Sequence, residues 1–384
     1  ANIRTLQTLV NKSLLYRHNV TGRYEIHEML RQYGEGILNE NGLTDSTRHK
    51  HMIYYANLMT KLLPDVHGNR QIPALHEIDD DFENIKLAWR YACQTAYSSA
   101  ISQMIDCVHW YCAFRHLVVE ATELFSLARS VWADESPIAL RLMSRYPATN
   151  DTKTVYETAL ALAKKQQNMY EIAFCSRQLG VLLSHHMVKG NMENSRLGIQ
   201  FLEESATLFD QLKQDFCTAY VLDDLGWSYR LLGRIDTQQV RVEQSIKIRR
   251  EIGDKIGMAN SLRNMGGVLG GFGGGRIEAL EKWQEALALS HEINSKFGVT
   301  WNSYMVGVFY QFEGEFDKAQ PYIDIAFELS KEIREETVYG SCLLSRALRL
   351  VIEEKDETEA QALMAKGFPP NTVDLRMIIF NTLE

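Results

Sequence analysis

Glycine follows an apolar residue in the middle of four successive helical segments, Leu179-Gly180, Leu225-Gly226, Met265-Gly266 and Val306-Gly307, at intervals of 46, 40 and 41 residues. Such a period constrains the chain more than any single motif, because each unit must bury its apolar face against its neighbours. A second phase runs through Gly198, Gln238, Ala279, Ala319 and Ala360, at intervals of 40, 41, 40 and 41. The two phases lie 12 residues apart for Gly226 to Gln238 and for Gly307 to Ala319, 13 for Gly266 to Ala279, and 18 for Gly180 to Gly198. The six extra residues fall in "HHMVKGNMENS", so the interval of 46 is 40 plus a lengthened turn. Period-two runs of Val, Ile and Thr are nearly absent beyond the first thirty residues, and the chain has only seven prolines. The fold class is therefore mainly α, built from antiparallel helix pairs.

One stretch tests that reading. Seven glycines crowd into residues 266–275 of "NMGGVLGGFGGGRIEALEKWQ". A phosphate-binding loop backs its glycines with a lysine and a magnesium-holding hydroxyl, yet Gly275 is followed by Arg276-Ile277-Glu278. A dinucleotide-binding turn follows a β-strand, and Met258–Leu269 reads as helix. The run is instead read as the turn between two helices of one pair, where glycine supplies the positive φ that a reversal needs.

Other features exclude more than they select. A net charge of −8 argues against a chain that grips nucleic acid through its phosphates. Apolar runs stop well short of the roughly 18–20 residues needed to span a bilayer, so no membrane is expected and the cytoplasm is the expected compartment. Six cysteines (93, 107, 112, 175, 217 and 342) form no CxxC pair and read as small buried hydrophobes, with no metal implied. His185-His186 reads as a solvent-facing turn, since adjacent helical positions point apart. Asp79-Asp80-Asp81 with Glu83 reads as an N-terminal cap on "FENIKLAWRYA". No nucleophile-plus-base spacing is present, and no enzymatic activity is expected of this chain.

The repeat units resemble tetratricopeptide repeats of the long-helix variety. Gly226, Tyr229, Gly233 and Ser245 match that pattern, as do Gly307, Tyr310, Gly314, Ala319 and Ala326, while Gln238 departs from it where alanine is expected. Glycine and alanine there let two helices approach closely. The resemblance implies a right-handed superhelix with a period of about 40–41. "REIGDKIGMANSLRNMG" and "HEINSKFGVTWNSYMVG" further resemble the repeats of bacterial STAND regulators, the signal-transduction ATPases with numerous domains. "LVNKSLLYRHNVTGRYEIHEMLRQYGEGIL" resembles the end of their winged-helix module, a helix, a hairpin around Asn19-Val20-Thr21-Gly22 and a helix opening at His27. "HMIYYANLM" and "EIDDDFENIKLAWRYA" resemble the connector that follows it.

By that resemblance the chain divides into a winged-helix remnant at 1–42, a helical connector at 43–95 and a repeat superhelix at 96–384. No GxxxxGK[ST] is present, so the resemblance puts the ATPase core, with its ATP or ADP and magnesium, in a preceding nucleotide-binding domain, itself a partner. This chain would hold no cofactor. His27 stands where such proteins sense nucleotide phosphate. The hairpin region, residues 1–42, carries five Arg or Lys against four Glu, too even a balance for DNA docking. The implied function is effector sensing, with a small molecule, peptide or protein bound on the concave face. The alternative is a scaffold or adaptor whose repeats self-associate or recruit partners.

In repeats of this kind, positions −6, −3 and +1 from the mid-helix glycine turn inward. That rule selects Phe174, Arg177 and Val181, then Tyr220, Asp223 and Trp227, then Asn260, Arg263 and Gly267, then Trp301, Tyr304 and Val308, of which all but Val181, Gly267 and Val308 are taken as the effector-binding face. Rings interleaved with Arg, Asn and Asp suit ligand capture.

Overall fold

Each mid-helix glycine marks a place where two helices cross too closely for a side chain. In the computed structural model, which describes residues 3–19, 22–132, 136–146, 151–185, 192–272, 276–353 and 357–367, a Cβ on Gly180 would lie 2.6 Å from Leu202, on Gly226 2.9 Å from Val242, and on Gly307 2.7 Å from Ile323. On Gly266 it would fall inside the Trp283 indole. The second phase is equally functional in packing: Gln238, Ala279, Ala319 and Ala360 are all buried.

The described residues are nearly all helical, with one two-stranded antiparallel hairpin. Packing divides them into two units. The first holds residues 1–60 and 81–104, the second 61–80 and 105–384. These units interleave in sequence, whereas the division at 42 and 95 follows the chain. No helix among the described residues is long and apolar enough to cross a membrane.

In the first unit, α1 (Ile3–Asn11) leads to β1 (Tyr16–Arg17) and β2 (Tyr24–Glu25), with Tyr16 paired to Glu25 and Arg17 to Tyr24. Val20 and Thr21 of the expected hairpin tip lie outside the described residues. α2 (Glu28–Glu40) opens on His27, whose Nδ1 accepts from the Met29 N–H at 3.3 Å. α3 (Thr44–Val66), α4 (Gln71–Gln94) and α5 (Ser98–Arg115) belong partly to each unit. Because α4 starts at Gln71, the acids at 79–81 sit inside a helix and do not cap one, which corrects the sequence reading. They are instead pairing groups. Asp79 accepts from Tyr111 and Arg115, and Asp81 accepts from Tyr55 at 3.0 Å.

The second unit is a tetratricopeptide-like superhelical array. After α6 (Val118–Arg129), α7 (Pro137–Arg145) and α8 (Thr152–Lys165), the pairs are α9 (Met169–His185) with α10 (Met192–Gln211), α11 (Asp215–Leu231) with α12 (Ile235–Ile252), α13 (Lys255–Phe272) with α14 (Arg276–Glu292), α15 (Lys296–Phe312) with α16 (Phe316–Ile333), and α17 (Glu336–Ile352) with α18 (Glu357–Gly367). The turn leading into each first helix carries one left-handed residue, at Gln167, Lys213, Gly253, Asn294 and Arg334. Those positions are 46, 40, 41 and 40 apart, so the backbone itself repeats with the sequence. Side-chain bonds repeat as well: the Ser205 hydroxyl donates to Ala173 O at 2.7 Å and Ser245 to Ala219 O at 2.9 Å.

Gly266, Gly267, Gly270 and Gly271 belong to α13. The turn reading therefore fails for the first part of the glycine run, and Gly273–Gly275 lie outside the described residues. Gly266 and Gly270, one turn apart, seat the Trp283 ring, whose N–H donates to Arg263 O at 3.2 Å. A large ring in the second helix required two missing side chains in the first. His186 and residues 187–191 of the lengthened turn also lie outside the described residues. All six cysteines are buried free thiols, which agrees with their reading as core.

Candidate functional site

The selected residues lie along the seam where the first helices of successive pairs meet. Arg177 on α9 donates to Asp224 on α11 at 2.6 Å, and Ser261 on α13 donates to Asp223 on α11 at 2.8 Å. Further on, Arg263 on α13 faces the Trp301 ring on α15 at 5.9 Å, and Tyr304 lies against the α17 residues Ser341 and Ser345. Arg177, Asp223, Arg263, Trp301 and Tyr304 thus each meet a neighbouring first helix, in a strip along the array.

Within that strip the structure separates two sets. Phe174 is 1% exposed, packed edge-on to His109 of α5 at 5.6 Å and beneath the Arg145 guanidinium at 4.0 Å. Tyr220 sits among Trp110 and Phe216, each 4.9 Å away, with Arg249 over its ring at 4.2 Å. Asp223 also accepts from Arg249 at 2.8 Å. Here the aromatic and charged groups that sequence reading assigned to ligand capture are occupied by the protein itself. Their cover comes from His109 and Trp110 of α5, with the 66–71 turn packed on the adjoining Phe216, elements remote in sequence.

That turn is held tightly. Gln71, 1% exposed, donates to Asp254 Oδ1 at 2.8 Å and to Val66 O at 2.9 Å, and accepts from the Ile256 N–H at 2.9 Å. His67 stacks on Phe216 with ring centres 3.8 Å apart. Burial pulls the His67 imidazole down to about 4, and pulls His109 down to about 3. Both are neutral spacers at physiological pH.

Charge in this covered half is balanced by pairing. Arg249 reaches Asp254 and Asp223, and Arg145 reaches Asp106 at 2.8 Å and Glu171. Burial alone would raise the Asp106 carboxyl, but Arg145 and Arg141 outweigh it and hold it at about 2. Sequence reasoning selected none of Arg145, Asp106, Arg249, Asp254 or Gln71. Their charged partners stand at no helical spacing, so no local signal marked them.

The second set is Trp227, Asn260, Arg263, Trp301 and Tyr304. Trp227 is 43% exposed, and Asn260, Arg263, Trp301 and Tyr304 are half-buried. Arg263 Nη1 and Trp301 Nε1 are shut off from water without an acceptor. Burial lowers Arg263 to about 10, with Asp223 acting against that fall, and pushes the Tyr304 phenol up to about 12. Arg230, which sequence reading missed, joins this set from α11 by donating to Gly267 O at 3.1 Å.

An array of helix pairs whose first helices line one strip is the architecture of a tetratricopeptide-like repeat protein. Comparison with known proteins bears this out at the level of fold. No protein-family model matches the sequence, and no curated protein matches it either. Among solved structures, the chain is similar to a Rap protein crystallised with competence and sporulation factor, at 12% identity over 83% of this chain and 85% of that one, with a TM-score of 0.58. It is also similar to a signal transduction ATPase with numerous domains from Pyrococcus horikoshii that carries a tetratricopeptide repeat sensor, at 14% identity and a TM-score of 0.59. The match covers 94% of this chain and 51% of that one, so the chain spans about half the length of that ATPase. At these identities the likeness shows a shared fold.

Proposed function

We propose that this chain is the effector-sensing part of a STAND-type regulatory ATPase, a non-catalytic domain that takes a peptide, protein or small molecule on the first-helix strip of its repeats. The observation that carries the reading is the pair of neighbouring donors on that strip, Arg263 Nη1 and Trp301 Nε1, that are shut off from water without an acceptor, on an arginine with no carboxylate paired to it. Unsatisfied buried donors cost stability, so their retention fits a site completed by a ligand. The likeness to a repeat sensor covering nearly the whole chain supports the STAND assignment, and the likeness to a Rap protein complexed with competence and sporulation factor supports a bound factor as the kind of effector.

In this reading residues 1–42 are the winged-helix remnant, 43–95 the connector and 96–384 the sensor array, in a cytoplasmic protein. His27, exposed at the start of α2, would read nucleotide phosphate presented by the preceding nucleotide-binding domain, where ATP or ADP and magnesium would reside. The chain itself needs no cofactor. An array that contacts mainly its neighbours is compliant, so a ligand spanning several first helices would bias its curvature by a coupling of about 1–3 kcal/mol. The test is a mass-spectrometric survey of what co-purifies with the chain, repeated with the Arg263→Ala, Tyr304→Ala double variant. Loss of the captured effector with intact folding supports the strip; retention at full yield removes it.

A further inference from the structure

Interior arginines of the second unit come with acids. Arg145, Arg177, Arg249, Arg241, Arg346 and Arg349 each meet at least one carboxylate. Arg263 and Arg230 do not. The Arg263 guanidinium has no hydrogen-bond or ion-pair partner among the described residues, and that of Arg230 has only the Gly267 carbonyl. The carboxylate that acts on Arg263 electrostatically, Asp223, is already taken by Arg249 and Ser261. Arg263 also stands off its ring at 5.9 Å, whereas Arg145, Arg249 and Arg346 lie 4.0, 4.2 and 3.7 Å over theirs. In a chain of net charge −8, two uncompensated guanidiniums on one strip are not a shortage of acids.

Their spacing is informative. Arg230 covers Gly267, where a Cβ would come within 3.4 Å of its Nη1, and Gly267 is one helical turn, roughly 6 Å, beyond Arg263 on the same face of α13. Carboxylates on alternate residues of an extended peptide are separated by about 6.6–6.8 Å. The exposed Trp227 lies one turn before Arg230 on α11, giving an apolar platform beside the charges, and the Trp301 N–H adds an unpaired donor beside Arg263.

Resting on the reading above, we infer that Arg230, Arg263 and Trp301 form a site for two carboxylates of an acidic, extended peptide laid across α11, α13 and α15, with Trp227 under one of its apolar groups. The guanidiniums supply charge-assisted hydrogen bonds, and the ligand supplies the anions that the fold omits.

The experiment titrates the full chain with fluorescein-labelled hexaglutamate and with hexaglutamine, by anisotropy at low and high salt, in wild type, Arg263→Gln, Arg230→Gln and Trp301→Phe, alongside thermal unfolding. Hexaglutamate is expected to bind, with salt-sensitive affinity, and to lose about tenfold or more in Arg263→Gln and in Arg230→Gln. Trp301→Phe, which keeps a ring and removes the N–H, is expected to lose several-fold. The unfolding temperature of Arg263→Gln should hold or rise, which a merely structural arginine would not allow. Equal binding of both peptides, or hexaglutamate affinity unchanged in both arginine variants, overturns the inference. Citrate competing as well as hexaglutamate would assign the anion to a small polycarboxylate and overturn the peptide. If a co-purified effector depends on Tyr304 but not on Arg263 or Arg230, the anion site fails while the strip reading survives.

Discussion

The covered and open halves of the first-helix strip are built from the same residue types and do different work. Around Phe174, Tyr220 and Asp223, every cation faces an acid and every ring faces another ring. Around Arg263 and Trp301, equivalent positions of the repeat hold a cation with no paired carboxylate and donors with no acceptor. Position in a repeat therefore fixes which way a side chain points, but the neighbours it meets decide whether it is architecture or a receptor for something else.

The largest expected effect breaks this comparison if it fails. Arg249→Met strands Asp254, whose side chain is 0% exposed, and Asp223, and should lower the unfolding free energy by about 3–5 kcal/mol in chemical denaturation. Arg263→Met, at a half-buried arginine without an acid partner, should stay within about 1 kcal/mol of wild type. Equal losses would mean that the two halves do not differ.

Next in size is a contrast within the glycine run. Gly266→Ala drives a methyl into the Trp283 indole and should destabilise by about 1–3 kcal/mol in the same assay. Gly271→Ala meets nothing within 4 Å and should stabilise α13 by about 0.5–1 kcal/mol.

A pH scan sharpens the account of the covered half. His67 is held near 4 in the fold against an ordinary 6.5, so between those values the unfolded chain binds the proton and the folded chain does not. Its contribution is complete above pH 6.5 and declines as pH falls toward 4, so the unfolding temperature should drop across that window. His67→Phe, which preserves the stack on Phe216, should flatten the drop. The smallest effect expected is at Trp227, where replacement by alanine should change stability by no more than about 0.5 kcal/mol while removing one wall of the peptide site.

The period was legible because helix crossing is a local demand: a glycine or alanine must recur wherever two backbones approach, and Gly226, Ala279 and Gly307 show it directly. Gln238 was legible only as an exception, since its burial depends on the space that Gly226 leaves opposite. The inward strip was legible in direction for the same reason. Its division was not, because the cover over Phe174 and Tyr220 comes from His109 and Trp110 on α5, which no spacing rule connects to α9 or α11. The acids at 79–81 misled for a related reason, their partners Tyr111 and Arg115 lying 32 and 36 residues from Asp79. Arg230 escaped notice because its role depends on a side chain that Gly267 lacks.

Repeat arrays usually melt from their ends, each unit answering only to the next. The amide of Gln71 changes that, since its bonds to Asp254 and Ile256 join positions 183 and 185 apart in the chain. Gly253, in the left-handed region at φ 79°, leaves no room for a side chain beside Asn69, so the seam fits closely there. The second-unit helices between these points, α6 to α12, are thereby fastened at both ends like a belt through its buckle. The stack from α6 to α12 should consequently exchange its amide protons as one block, rather than fraying helix by helix.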